Sequence, residues 1–288
     1  MNYPRIRAAV TATLASLSAC ASAASVSAPS TEWTQLAGNY DYLADQQTGQ
    51  PAGDIVGVGN NAGFFTTFND NGSASATDGT LGFRLRLDAA GGNDKNPSFD
   101  RVAWVGVDAD GNGSVDAFLG LGNQGNSSSL GIYAPGSSAN TSPNTTSIAA
   151  SASFSYAIGA SNYNYRAVDY LTDGGTSNDA TTATSGDADY YLSFLVPFND
   201  LVSYLATKNI NISDQSPLRY VVATSTQHNS LNQDLGGVNG GINSTSTWTE
   251  LGGFSQTTNA MGTVVPEPSA FAIGASLLLL GALRRRRD

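Results

Sequence analysis

The residues best placed to do chemistry in this 288-residue chain lie in one short run, Asp108-Ala109-Asp110-Gly111-Asn112-Gly113-Ser114-Val115-Asp116. Counted from Asp108, oxygen-bearing side chains fall at positions one, three, five and nine, with glycine at six for a sharp turn. From such positions a loop wraps a hard cation in oxygens, with the position-seven carbonyl, here of Ser114, facing inward. The expected ligands are Asp108, Asp110, Asn112, Ser114 and Asp116, and the expected ion is Ca2+ in a structural role. Val115 should point into the core. Position twelve is Leu119 rather than a bidentate glutamate, so affinity belongs at the weak extracellular end, roughly 10⁻⁴ to 10⁻³ M. The competing reading is a tight Asp/Asn/Gly hairpin loop whose side chains bond their own backbone.

Other chemistry is sparse. Asp187 and Asp189 stand two apart before a strand, where they could share a face as an acid/base pair, although nearby loop aspartates usually only solvate the loop. The glutamates are Glu32, Glu250 and Glu267, so a glycosidase-type pair needs aspartates in both roles. Tyr163, Tyr165 and Tyr170 make either an aromatic platform for sugar rings or half-buried strand residues. His228 is the one histidine, and nothing around it resembles a nucleophile elbow. Cys20 is the one cysteine, which excludes an intramolecular disulfide and a thiolate metal cluster.

The acidic run is flanked by strand-like sequence, not helices, and resembles the strand-flanked calcium loops of FG-GAP and related surface repeats. The ends carry a second resemblance. At the amino end Arg5 and Arg7 precede an apolar and small-residue run, the order of a secretory signal peptide over 1–23. Ala21-Ser22-Ala23 suits signal peptidase, whereas Leu17-Ser18-Ala19-Cys20 resembles a lipobox with Cys20 as the lipidated residue. At the other end, 269–283 is uncharged and rich in Leu, Ala and Gly, and Arg284, Arg285, Arg286 and Arg287 follow at once. As a helix it spans roughly 22 Å, short of the ~30 Å hydrocarbon core. The arginines pin the terminus in the cytoplasm and leave the preceding chain outside. Before it stand Pro266, Glu267 and Pro268, held extended by the two prolines.

Pro-Glu-Pro, a short transmembrane helix and an arginine cluster together resemble the PEP-CTERM sorting signal over 266–288. The resemblance implies recognition and processing by an exosortase, an integral membrane cysteine transpeptidase. It further implies a Gram-negative bacterium that makes exopolysaccharide, an inner-membrane intermediate, and a final place at the cell surface or in the extracellular matrix.

Between the ends, Gly, Ser, Thr, Asn and Asp crowd the chain, with seven Lys or Arg against 22 Asp or Glu when Glu267 is counted in. That acidity argues against nucleic acid as a partner and fits cation binding or plain solubility. Alternating or β-branched runs predict strands over 54–58, 64–68, 81–88, 102–107, 115–121, 130–134, 153–158, 190–196 and 218–224. Within 81–88, Leu81, Phe83, Leu85 and Leu87 share one face, which puts Arg84 and Arg86 on a wet opposite face. One short helix should follow Pro197, capped by Asn199, with Leu201, Val202 and Leu205 as its apolar stripe. No sustained repeat is present.

The expected fold is therefore mainly β: a single β-sandwich, jelly-roll-like, over 24–251, with long loops over 135–150 and 172–188. A polar linker over 252–265 is expected to hold it off the membrane. The expected function is a non-enzymatic, structural or adhesive surface protein whose partners are signal peptidase, exosortase and, through matrix association, exopolysaccharide. The alternatives are a carbohydrate-binding module for exopolysaccharide and a secreted hydrolase using aspartates.

Overall fold

The computed structural model describes residues 24–36, 41, 50–93, 96–124, 127–136, 148–180, 187–231, 233–238 and 247–266. Cys20, Glu267, Pro268, the apolar segment and the four terminal arginines lie outside the described residues. In chain order the strands are β1 (Thr34–Gln35), β2 (Phe64–Asn69), β3 (Thr80–Leu87), β4 (Gly92–Asn93), β5 (Asn96–Pro97), β6 (Val102–Asp108), β7 (Ala117–Gln124), β8 (Ser127–Pro135), β9 (Ile148–Tyr156), β10 (Tyr163–Ala167), β11 (Tyr190–Pro197), β12 (Arg219–Ser225) and β13 (Asp234–Leu235). The helices are α1 (Tyr170–Asp173), α2 (Phe198–Ala206) and α3 (Trp248–Leu251).

The protein is mainly β, with two antiparallel sheets ordered β1-β2-β3-β11-β10 and β13-β12-β6-β7-β8-β9, plus a small β4-β5 ribbon. They pack face to face in a sandwich-like core. From the first sheet come Phe64, Leu81, Phe83, Leu85, Leu192 and Phe194, and from the second Val105, Leu119, Leu121, Ile132, Tyr220 and Val222. Phe83 meets Tyr220 across the gap, ring centroids 5.1 Å apart. Strands β6 to β9 run as a meander of neighbours in one sheet, not as the alternating crossovers of the expected jelly roll. Short connections such as 109–116 keep successive strands adjacent.

Predicted strands and observed strands coincide in the core, and differ where sequence alternation was weak. Residues 54–58 form only isolated bridges, Ile55 to Leu87, Gly57 to Asp41 and Val58 to Asn61. Strand β10 is not among the predicted runs, and it bears out the half-buried strand reading of Tyr163 and Tyr165. Helix α2 does follow Pro197, with Leu201 and Leu205 buried, but it starts at Phe198 behind Pro197 as N-cap and has no side-chain cap. Asn199 therefore lies inside the first turn, not at the cap.

The largest departure concerns the outer faces. Arg84 and Arg86 do point away from Leu81, Phe83, Leu85 and Leu87, yet both are fully buried. Segment 24–33 lies over Arg84, and 174–180 reaches Arg86. Arg84 donates from Nε to Ser193 Oγ (2.7 Å), from Nη1 to Ser30 Oγ (2.9 Å), and from Nη2 to the carbonyls of Val26 (3.0 Å) and Ala28 (2.8 Å). Its guanidinium lies 4.4 Å from the centre of the Trp33 ring, a cation–π contact strengthened by desolvation. Burial, with Arg166 adding like charge, pulls this group down to about 10, so it stays charged at neutral pH. Ala24, Trp33, Phe65, Val168 and Tyr191 complete the apolar cover.

The second sheet is covered as well. Val102, Trp104, Phe118, Tyr133, Val221 and Ala223 face outward from the main core and pack under Leu231, Leu235, Val238 and Trp248. Trp104 has room because its cross-strand partner is Gly120. A Cβ there would come within 1.8 Å of the indole.

The expected linker at 252–265 is folded onto the domain. Helix α3 has a reciprocal capping box between Thr247 and Glu250, and Trp248 is buried. Downstream, Ser255 N donates to Tyr220 O (2.7 Å), Leu218 and Thr258 exchange backbone bonds, and Val265 N reaches Thr257 O (3.0 Å). Polar side chains there serve buried hydrogen bonds: Ser255 Oγ accepts from Tyr220 N (3.0 Å) and Asn259 Oδ1 from Thr263 N (2.9 Å).

Replacing Arg84 by Met should remove the hold on 24–33, destabilising the protein by about 3 kcal/mol. Urea unfolding measures this, and hydrogen exchange should accelerate first in 24–33; unchanged exchange there rejects the account. A second outcome concerns acid. Burial alone would raise the Asp173 carboxyl, but bonds from Arg166, Asp169 N and Ser30 N outweigh it and hold it down to about 2. Its contribution is complete above the unfolded value near ~4 and is lost as pH falls toward about 2. Asp173→Asn should flatten that part of the melting temperature against pH curve.

Candidate cation sites

The acidic run connects β6 to β7, so two adjacent strands fix both of its ends. Asp108 is the last residue of β6, and Asp116 N donates back to Val107 O (2.7 Å) to close the hairpin. Gly111 and Gly113 both have positive φ, +76° and +85°, which glycine adopts without strain. Val115 is buried in the outer core of the second sheet, as its position required.

Within this frame Asp108, Asp110 and Asp116 each offer a carboxylate oxygen, all within 4.8 Å of one another. One ion with 2.3–2.6 Å bonds to oxygen can span such a set. The loop also satisfies itself. Asp108 accepts from Gly111 N (2.8 Å) and Gly113 N (3.0 Å), Asp116 Oδ2 from Ala109 N (2.8 Å), and Asp110 from Asn112 N and Nδ2. Asn112 Oδ1 is turned to Ser114 N (2.7 Å). So the three aspartates converge, whereas Asn112 Oδ1 is committed to the backbone; Ser114, expected to contribute its carbonyl, is an exposed residue of the same loop.

Two cations from distant segments reach the loop. Arg219 Nη2 on β12 pairs with Asp108 Oδ2 and its guanidinium lies 4.7 Å from the centre of the Phe254 ring. Lys208 Nζ, just past α2, donates to Asp116 O (2.6 Å). Burial pushes the Asp116 carboxyl up, opposed by the bond from Ala109 N and reinforced by Asp110 and Asp108. Beside the loop lies a cavity of about 250 Å3 whose lining includes Asp108, Asp110, Pro217, Arg219 and Pro266. The first residue of the Pro-Glu-Pro run thus sits against the acidic loop.

The other candidates separate. Asp187 is exposed while Asp189 is fully buried, ion-paired with Arg86 Nε and bonded by Ala180 N (2.8 Å). Burial pushes the Asp189 carboxyl up to about 7 against the pull of Arg86. Tyr163 and Tyr165 are half-buried against the main core, and the Tyr165 hydroxyl accepts from Gly91 N (2.8 Å) and donates to Ala89 O (3.2 Å). Tyr170 stands apart on α1, next to a Leu171 that is 77% exposed. His228 packs on Trp104 with its Nε2 3.1 Å from the Tyr133 hydroxyl, a packing role.

A second carboxylate group was not expected. Asp88, Asp179 and Asp189 also lie within 4.8 Å of one another through one oxygen each. Its sequence signal was only Asp189 itself, because Asp88 and Asp179 are brought to it by strand pairing and a folded-back loop. No protein family, no curated protein and no solved structure matches this chain.

Arg219→Gln should leave Asp108 buried without its counter-charge and, in chelator, destabilise the protein by about 2 kcal/mol. Denaturant unfolding measures this; an unchanged midpoint would show that the backbone bonds alone stabilise that carboxylate.

Proposed function

We propose that this is an exported, non-enzymatic surface or matrix protein, sorted by an exosortase-type system and structural or adhesive in role. The observation that carries the reading is the three-part carboxy-terminal sequence: Pro266-Glu267-Pro268, the uncharged 269–283, and Arg284 to Arg287. In this reading the leader over 1–23 is removed or processed at Cys20, and the sandwich is the mature body. The two prolines support it, because they deny the run helical hydrogen bonds and so suit an accessible processing signal.

Calcium enters the same reading as a structural ion of the β6–β7 loop. The converged carboxylates of Asp108, Asp110 and Asp116 fit a hard cation, and a cation there must share or displace Arg219 on Asp108. It would pin a hairpin in a chain whose one cysteine leaves no intramolecular disulfide. At a tenfold excess over Kd such an ion adds about 1.4 kcal/mol.

Two measurements test the proposal. The intact mass of the mature protein from its own cells should show loss of the segment at or beyond Pro266, and Glu267→Ala should retain it. A cytosolic product with both ends uncut would overturn the sorting reading. Millimolar Ca2+ should raise the melting temperature by a few degrees, and Asp108→Ala should remove most of that rise; identical curves for parent and variant refute the loop as its source.

A further inference from the structure

We propose that Asp88, Asp179 and Asp189 form a second hard-cation site, for a divalent ion of the calcium class, independent of the β6–β7 loop. The site is built by the fold. Leu87 pairs with Tyr190 in the β3–β11 ladder, so the next step outward sets Asp88 opposite Asp189. Like charges directly opposite each other in a ladder destabilise it, yet both residues are fully buried. Asp179 arrives on the segment 174–180, held down by Arg86 Nη2 to Ser177 O (2.9 Å) and by Asp189 N to Asn178 O (2.8 Å).

Proximity of carboxylates is common without an ion, so the decisive observation is elsewhere. Asp189 Oδ2 is taken by Arg86 Nε and Ala180 N, but Asp189 Oδ1, equally inaccessible, accepts no hydrogen bond among the described residues. A buried carboxylate oxygen without a partner carries its full desolvation cost. One oxygen each from Asp88, Asp179 and Asp189 lies within 4.8 Å of the others, a spacing that two bonds of 2.3–2.6 Å to a common ion can bridge. The donors are all oxygens, which selects Ca2+ over softer metals. Mg2+, which demands near-ideal octahedral geometry and sheds water reluctantly, fits less well. The rival arrangement is a self-contained ion pair in which Arg86 Nη1, also without a partner, swings to Oδ1; it predicts no response to calcium.

The test uses full-length mature protein stripped with chelator, titrated with CaCl2 by calorimetry. In an Asp108→Ala background, which disables the loop, one calcium per chain should still bind, and adding Asp179→Asn should weaken it at least tenfold. Asp179 is only partly buried, so its Asn variant keeps the fold, as circular dichroism would verify. Absence of binding in folded Asp108→Ala up to about 10 mM, above the weak extracellular range, overturns the proposal and leaves the loop reading intact. An unchanged affinity in the double variant also overturns it. Conversely, equal stoichiometry in parent and Asp108→Ala, lost with Asp179→Asn, supports this site and sinks the loop. Should Asp108→Ala fail to fold, the comparison of parent with Asp179→Asn decides: stoichiometry must fall by one ion.

Discussion

The architecture depends on burying cations that are in short supply. With seven basic residues between its ends and three times as many acids, the chain spends almost every described positive charge on joining segments far apart in sequence. Arg84 ties strand β3 to 24–33, Arg86 ties it to 174–180, and Arg166 reaches Asp173 and the carbonyl of Ala28. Arg219 and Lys208 both fasten the β6–β7 loop. Each fixed guanidinium supplies several directed donors in one plane. In a chain with no possible internal disulfide, these contacts perform the cross-linking that a cystine could otherwise supply.

That constraint explains which features were legible in the sequence. Strands β3, β6, β11 and β12 were readable because their alternation is set by the inter-sheet core, and residues such as Phe83 and Val105 have one possible side. The direction of Arg84 was also readable, but its burial was not. Period-two patterning says which face a residue occupies, and says nothing of a distant segment that later covers that face. The described covering segments, 24–33, 233–238 and 247–265, carry only very short elements, and their packing rests on backbone hydrogen bonds and single apolar anchors such as Trp33 and Trp248 that leave no periodic trace. Asn199 failed as a cap because Pro197 already fixes the entry to α2.

The candidate sites divide along the same line. The β6–β7 loop is local, nine consecutive residues, and its spacing announced the convergence of Asp108, Asp110 and Asp116. Arg219, more than a hundred residues away, was invisible, though it decides how much negative charge the loop retains. The group of Asp88, Asp179 and Asp189 is wholly non-local. It exists because β3 and β11 are neighbours in a sheet whose order no single segment encodes.

The folded course of 252–265 changes the physics of the proposed membrane intermediate. With packing continuing to Val265, only residues 266–268 separate the body from the apolar segment, and three residues reach at most roughly 11 Å. In the proposed sorting the body would then stand directly against the outer lipid surface. The apolar segment, too short to span without distorting the bilayer, offers only a strained attachment there. That strain favours separation of body from anchor, and the Pro-Glu-Pro run is the one stretch of sequence left between them for a membrane enzyme to act on. A long flexible stalk would offer many such stretches; its replacement by a docked segment leaves the motif alone.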